Sequence, residues 1–242
     1  MLELKNVSYS VAEEGQTKEI ITELSLTAED GQLLVITGPN GGGKSTLARL
    51  IAGVNRPSTG RILLDGQDIT EKSITDRARM GIAYAFQQPV RFKGLRVIDL
   101  LRIASGKDLT VAEACDCLSK VGLCANDYVE REVNASFSGG ELKRIEIATV
   151  MARRARISVF DEPEAGIDLW SFQNLIRIFK SMRQDIRNSS ILIISHQERI
   201  LSIADKIAVV TAGRLSKIGT RSEILPELIG TDSAVGSCEK LN

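Results

Sequence analysis

The chain has 242 residues, enough for one large domain or two small ones, and 43% of them are apolar, so a sizeable core is available. Lysine plus arginine equals aspartate plus glutamate, 31 each, which speaks against a broad nucleic-acid-binding face. No apolar run approaches the roughly 18 residues of a membrane span, the opening MLELKNVSYS lacks the parts of a signal peptide, and four scattered cysteines fit a reducing cytoplasm.

In chain order, LELKNVSYSV (2–11) and IITELSLTAEDGQLLVIT (20–37) predict strands, parted by the polar turn AEEGQTK (12–18). The Asp65-Gly66 pair in RILLDGQDI predicts a hairpin. Four short apolar runs read as buried parallel strands: LLVIT (33–37), GIAYAF (81–86), ISVF (157–160) and ILIIS (191–195). Helical patterns follow three of them, KSTLARLIAG (44–53), LWSFQNLIRIFKSMRQDI (169–186) and ERILSIAD (198–205). Strands alternating with helices make the fold class α/β. Between them, VIDLLRIASG (97–106) and TVAEACDCLSKVGL (110–123) are helical with no strand between, which predicts a helical insert. One domain is expected over residues 1–225, with the insert at about 88–152; the tail from 226 to 242 is expected to be partly mobile, with GTDSAVGSCEKLN (230–242) fraying.

GPNGGGKS, Gly38 to Ser45, fits the pattern G-x-x-x-x-G-K-[ST]. It follows a predicted strand and opens a predicted helix, the context that confirms the motif over a plain glycine-rich turn. Gly38, Pro39, Asn40, Gly41, Gly42 and Gly43 form a loop whose backbone N–H groups can curl around phosphate oxygens. The helix N-terminus adds partial positive charge. Lys44 is expected to reach the β- and γ-phosphates, and the Ser45 hydroxyl to help hold Mg²⁺, with Thr46 next in the cradle.

ISVFDEP ends a buried strand with Asp161 and Glu162. An acid at the carboxyl end of such a strand suits Mg²⁺, and its neighbour can polarise a water. An acidic pair alone usually faces solvent; the phosphate loop upstream is what favours the catalytic reading. His196 is the chain's only histidine and follows ILIIS, where a loop reaches the same crevice. A lone histidine is more often structural, but that position favours contact with a γ-phosphate. In FSGGE, Ser138, Gly139 and Gly140 open another predicted helix, suited to phosphate. An ordinary capping box, Ser138 with Glu141, fits the same residues, and both can hold. One chain does not easily bring this helix end to its own phosphate loop, so a second copy is expected to receive it.

Taken together, these residues resemble an ATP-binding cassette ATPase along nearly the whole chain. The resemblance implies a RecA-like phosphate-loop core, an N-terminal antiparallel β subdomain and an inserted helical subdomain. It implies ATP and Mg²⁺ as ligands, and two copies closing transiently over two ATP. It casts Gln87, after YAF, as a contact of Mg²⁺ and the attacking water, and Gln88 as a neighbour. It sets Asp168 of AGID in the loop that communicates across that dimer. Catalysis then falls to Glu162, His196 and Gln87, and the metal to Ser45, Gln87 and Asp161. The family usually stacks an aromatic ring on adenine near the N-terminus. Val11 stands at that position here, with Tyr9 two residues earlier and expected on the other side of the strand.

Within the family, FQQPV followed by KG, REVNASFSGGE, DEPEAGID, HQERIL and the valine at the aromatic position resemble SufC, the ATPase of the Suf iron–sulfur cluster assembly machine. That branch implies a scaffold partner of the SufB/SufD kind and a cytoplasmic place, with no nucleic acid and no membrane insertion. Two departures stand against it: the span from Gln87 to Ser138 is short for the branch, and EPEAGID is not its commoner wording. The alternative is the nucleotide-binding subunit of a transporter, which would need a permease. A cassette acting on nucleic acid usually carries two cassettes or a long coiled-coil insert, and neither is here. The segment from Pro89 to Leu95 is expected to dock the partner, with Phe92 and Leu95 as anchors and Arg91, Lys93 and Arg96 as a charged rim; the alternative is that Phe92 and Leu95 pack under the insert. Cys115, Cys117, Cys124 and Cys238 read as small buried apolar residues rather than metal ligands. RRAR, Arg153 to Arg156, reads as a solvated helix end.

Overall fold

The computed structural model describes residues 1–13, 16–90, 92–134, 136–185 and 189–234. Strands β1 (Leu2–Glu13) and β2 (Gln16–Ala28) form an antiparallel pair, and β3 (Leu33–Thr37) leads into helix α1 (Lys44–Ala52). The hairpin β4 (Thr59–Leu64) and β5 (Gln67–Asp68) follows, then α2 (Ile74–Arg79) and β6 (Ile82–Ala85). Four helices come next: α3 (Val97–Ser105), α4 (Val111–Lys120), α5 (Ala125–Tyr128) and α6 (Gly139–Arg153). The chain then runs through β7 (Ile157–Asp161), α7 (Leu169–Asp185), β8 (Ser190–Ile194), α8 (Glu198–Leu201), β9 (Lys206–Thr211), β10 (Arg214–Thr220) and α9 (Arg221–Ala234).

These strands make two sheets. One is antiparallel, in the order β2-β1-β4-β5. The other runs β10-β9-β3-β8-β7-β6, parallel throughout except for β10 at its edge. All four apolar runs predicted as parallel strands lie in the second sheet. Every residue of β3, β7 and β8 is buried, as a strand covered on both faces requires. Alternation still sorts their side chains between two cores. Leu33 and Val35 join the larger core with Phe160, Ile193, α3, α6 and α7. Leu34 and Ile36 join the smaller one with α1 and the inner face of the antiparallel sheet. The Asp65-Gly66 turn takes positive φ at both residues, 51° and 79°, the backbone a two-residue hairpin asks for.

Three expectations about the elements change. ERILSIAD was expected to be helical throughout, but the helix stops at Leu201; Ile203 and Ala204 still go into the core. The stretch expected to fray from Gly230 starts inside α9, which continues to Ala234, with Leu225 and Leu228 packed on the larger core. Residues 235–242, with Cys238, lie outside the described part. Tyr9 was expected opposite Val11. Strand residues two apart share a face, and the register shift at Tyr9 and Ser10 skips Ile20 of β2, not a residue of β1. The Tyr9 ring packs against the smaller core.

Of the cysteines, Cys115 and Cys117 are half-buried against the larger core, while Cys124 is exposed, not buried as expected. No helix among the described residues is long and apolar enough to cross a membrane.

Candidate nucleotide site

The phosphate loop joins β3 to α1 at the carboxyl ends of the parallel strands. Its glycines are required by their neighbours. Gly38 has φ +134°, and a Cβ there would sit 2.0 Å from the Val210 carbonyl oxygen. Gly43 has φ +94°, and a Cβ would come within 2.6 Å of Ile21 Cδ1. So β9 and β2 press the loop into a turn only glycine can take. Gly43 is also the N-cap of α1. No side chain caps that helix and its first turn holds no acid, which leaves its amides to an anion. Lys44 is 5% exposed, and its ammonium donates to the Gly38 and Pro39 carbonyls at 2.8 and 2.9 Å. Burial pushes its pKa down, against the pull of the Glu162 and Asp161 charges.

Asp161 ends β7, fully buried. Its carboxylate accepts from Ser45 Oγ at 2.9 Å and from the Tyr84 hydroxyl at 3.0 Å. Burial pushes the carboxyl above the usual aspartate range, while those two bonds oppose the shift. Burial and then the Asp161 charge push the Tyr84 hydroxyl up as well. Ser45 and Asp161 offer a hard oxygen pair beside the phosphate cradle, a donor set that fits Mg²⁺.

Glu162 comes next, with φ +45°, a strained backbone for a residue with a side chain. Its N–H donates to the Ile194 carbonyl at 3.0 Å, which ties the turn to β8. Gln87 Nε2 donates to Glu162 Oε2 at 2.6 Å. The glutamine and the carboxylate, 75 positions apart, therefore meet, while Gln88 is exposed beside them. His196 is exposed just past β8, and its ring meets the Gln197 amide at 3.4 Å rather than Glu162.

Two further groups of the site were not foreseen. In sequence Tyr84 is one residue of an apolar strand, although a tyrosine there needs a partner for its hydroxyl. Glu164 is buried enough to push its carboxyl up; Ser195 Oγ donates to one of its oxygens, and the other is buried without a hydrogen bond. Only its nearness to Asp161 and Glu162 in sequence hinted at a role.

The FSGGE end is capped from within its own helix. Ser138 and Glu141 form the capping box, with Glu141 N–H donating to Ser138 Oγ at 3.2 Å and Ser138 N–H to Glu141 Oε2 at 2.7 Å. Ser138 and Gly139 are exposed, and a Cβ on Gly139 or Gly140 would meet nothing within 4 Å, so the helix end is open. Asp168 is exposed at the start of α7, where its carbonyl accepts from Phe172 N–H. Beyond Gln87, Phe92 is exposed, but Leu95 packs against the larger core, and Arg96 is engaged by Asp99 and Glu130. Arg96 keeps about half its side chain exposed, 47%, in those ion pairs, and Arg91 lies outside the described residues.

The family model for the ABC transporter matches residues 21–165. The chain belongs to the ABC transporter ATPase family. The cassette is 38% identical to an uncharacterized ABC transporter ATP-binding protein, MJ0035, of Methanocaldococcus jannaschii, over 86% of this chain and 85% of that one. It is 33% identical to the probable ATP-dependent transporter ycf16 of Antithamnion sp., over 90% and 91%. A sulfate/thiosulfate import ATP-binding protein, CysA, of Mesorhizobium japonicum is 29% identical over 89% of this chain and 63% of that one. Among solved structures, the dimeric MJ0796 ABC transporter cassette aligns with TM-score 0.82 and 18% identity, over 91% of this chain and 99% of that one. MJ0796 has also been solved as a dimer in a post-hydrolysis state with ADP and Pi, TM-score 0.82 and 19% identity over the same shares. The α/β cassette fold and the ATPase assignment therefore stand, and the cassette binds ATP.

Proposed function

We propose that this cassette hydrolyses ATP with Mg²⁺ as the working subunit of a Suf-type iron–sulfur cluster assembly complex. The observation that carries the chemistry is the 2.6 Å bond from Gln87 to Glu162, beside the Ser45–Asp161 pair. Gly38 to Thr46 hold the phosphates, and Lys44 leaves its own loop carbonyls for phosphate oxygens. Ser45, Asp161 and Gln87 hold Mg²⁺, which when bound neutralises charge on the phosphates. Glu162 accepts a proton from the attacking water, Gln87 orients Glu162, and His196 meets the γ-phosphate. The open end at Ser138, Gly139 and Gly140 covers ATP held by a second copy, and Asp168 lies at that contact. ATP thus closes two copies transiently, and hydrolysis reopens them.

Support for the Suf reading is local. FQQPV with KG, REVNASFSGGE, DEPEAGID and HQERIL resemble SufC, and Val11 stands where the family usually has a ring. The other reading, an importer's nucleotide-binding subunit, is supported equally by relatives such as CysA. Either partner would meet the same face. Val90 and Phe92 are each 44% exposed just past Gln87, and a cleft lined by Ile74, Ala78, Phe86, Ala104 and Val150 opens nearby.

Co-expression with a SufB/SufD-like scaffold from the same genome tests the choice. The wild type is expected to co-purify with the scaffold from the cytoplasmic fraction. Phe92→Asp should lose the scaffold yet keep ATP binding. Sedimentation with membranes on a permease would sink the Suf reading and leave the ATPase standing.

A further inference from the structure

Helix α6 carries a second feature one turn in from its open end. Lys143 and Glu146 face inward, with side chains 1% and 13% exposed and charged ends 3.0 Å apart. Both also grip one stretch of backbone. The Lys143 ammonium donates to the Phe86 carbonyl and, at 3.4 Å, to the Gln87 carbonyl. Glu146 Oε1 accepts from the Phe86 N–H at 2.9 Å. That peptide lies just beyond the β6–β7 ladder, which ends at the pair Ala85 and Phe160. Two charged side chains of α6 therefore take the place of a strand partner. The next residue is Gln87, whose side chain holds Glu162.

Stability is a poor reason for such a pair. Burying two charges costs much of what their attraction returns, and apolar packing of similar volume often does as well. The arrangement is also specific in direction, because Lys143 supplies donors to carbonyls and Glu146 an acceptor to an amide. Side chains three apart on a helix share a face, so the grip is rigidly linked to Ser138, the residue that caps the same helix.

We propose that Lys143 and Glu146 are positioning residues that clamp the Gln87 loop to α6, setting Gln87 against Glu162 and linking the glutamine of one ATP site to the helix end that covers the other. The inference rests on the roles given above to Gln87, Glu162 and the Ser138 end. It adds a physical link between the two nucleotides inside one chain: a shift of α6 on the partner's ATP moves Phe86, and Phe86 moves Gln87.

The test is steady-state ATPase kinetics with nucleotide binding and melting measured in parallel. Gln87→Ala should lower kcat. Lys143→Met should lower it by about 10–100-fold, the effect of misplacing a group by about 1 Å, with ATP affinity changed less than about twofold because no phosphate contact is touched. Adding Lys143→Met to Gln87→Ala should cost nothing further, since the lysine acts through the glutamine. The reversed pair, Lys143→Glu with Glu146→Lys, keeps opposite charges but exchanges donor and acceptor. It should recover melting temperature and remain slow, because a carboxylate cannot donate to the Phe86 carbonyl. Should Lys143→Met fail to fold, Glu146→Gln and Glu146→Leu decide: the amide still accepts from Phe86 and keeps kcat, and the leucine loses it. The clamp is overturned if Lys143→Met keeps wild-type kcat, if its loss adds to that of Gln87→Ala, if the reversed pair regains full rate, or if the two Glu146 variants behave alike. An unchanged kcat in Gln87→Ala overturns the site reading, and the clamp with it. A loss in Gln87→Ala with none in Lys143→Met overturns the clamp alone.

Discussion

Glu162 sits at φ +45° on the turn out of β7, a conformation that costs about 1–3 kcal/mol for a residue with a side chain. The strain aims its carboxylate at Gln87. Glu162→Gln should therefore keep the geometry and lose the base. Turnover should drop about 10²–10⁴-fold while ATP binding persists, measured by phosphate release and by titration; a rate within about twofold of wild type would remove Glu162 from its role. Asp161 makes a different prediction. Burial holds its carboxyl above the usual range, as it does for Glu146 and Glu164. Between the usual and the raised value the folded state binds more protons than the unfolded one, so stability falls as pH rises through that window. Asp161→Asn removes one of these groups, and in Mg²⁺-free buffer its melting temperature should fall less steeply with pH than that of the wild type. An unchanged slope would show that Asp161 is not the buried acid described. Lys44 was legible from the phosphate-loop motif itself, and Asp161 and Glu162 from their place at the end of a buried strand. Tyr84, Glu164, Lys143 and Glu146 were not, because their roles come from contacts between distant segments that no spacing encodes.

At the scale of elements, the phosphate loop separates two kinds of glycine. A methyl at Gly38 would sit 2.0 Å from the Val210 carbonyl, so β9 would have to leave β3. Gly41 also has positive φ, +76°, but a methyl there meets nothing within 4 Å. Gly41→Ala should fold and lose about 1–2 kcal/mol, the strain of a left-handed backbone. Gly38→Ala should give little folded protein, a contrast that thermal melts and soluble yield would show; equal stability of the two variants would contradict the packing described. Strands β3, β6, β7 and β8 were legible as short apolar runs because their burial leaves few polar positions to blur them. Strand β9 was missed because KIAVVT follows directly on ERILSIAD, and a helical period reads through the junction. Strand β10 is an edge with mostly exposed residues, so it carries no apolar run. Helix α9 holds Pro226 and Gly230, which argue against a helix locally; its apolar contacts with the core outweigh them.

For the whole molecule, the order of motifs made the cassette legible, and among the described residues the Ser138 end and the phosphate loop are held by separate sets of hydrogen bonds. Ser138 bonds within its own capping box, while Lys44, Ser45, Asp161, Glu162 and Gln87 are joined by hydrogen bonds and charge around the loop. If ATP is held between copies, every complete site draws its phosphate loop from one chain and its Ser138 end from the other. That makes mixing informative. Lys44→Ala removes the phosphate grip, and Ser138→Arg fills the open helix end, so each variant alone has two damaged sites per pair and should be inactive. In a mixed pair, one site combines both defects and the other combines none. An equal mixture should recover about a quarter of the wild-type rate, because half the pairs are mixed and each mixed pair has one of two sites intact. Lys44→Ala mixed equally with wild type is the control: about half the wild-type rate means that a single intact site turns over, and about a quarter means that only wild-type pairs do. With that control at about half, a mixture of the two variants that stays inactive would mean each chain completes its own site, and the two-copy arrangement would be wrong.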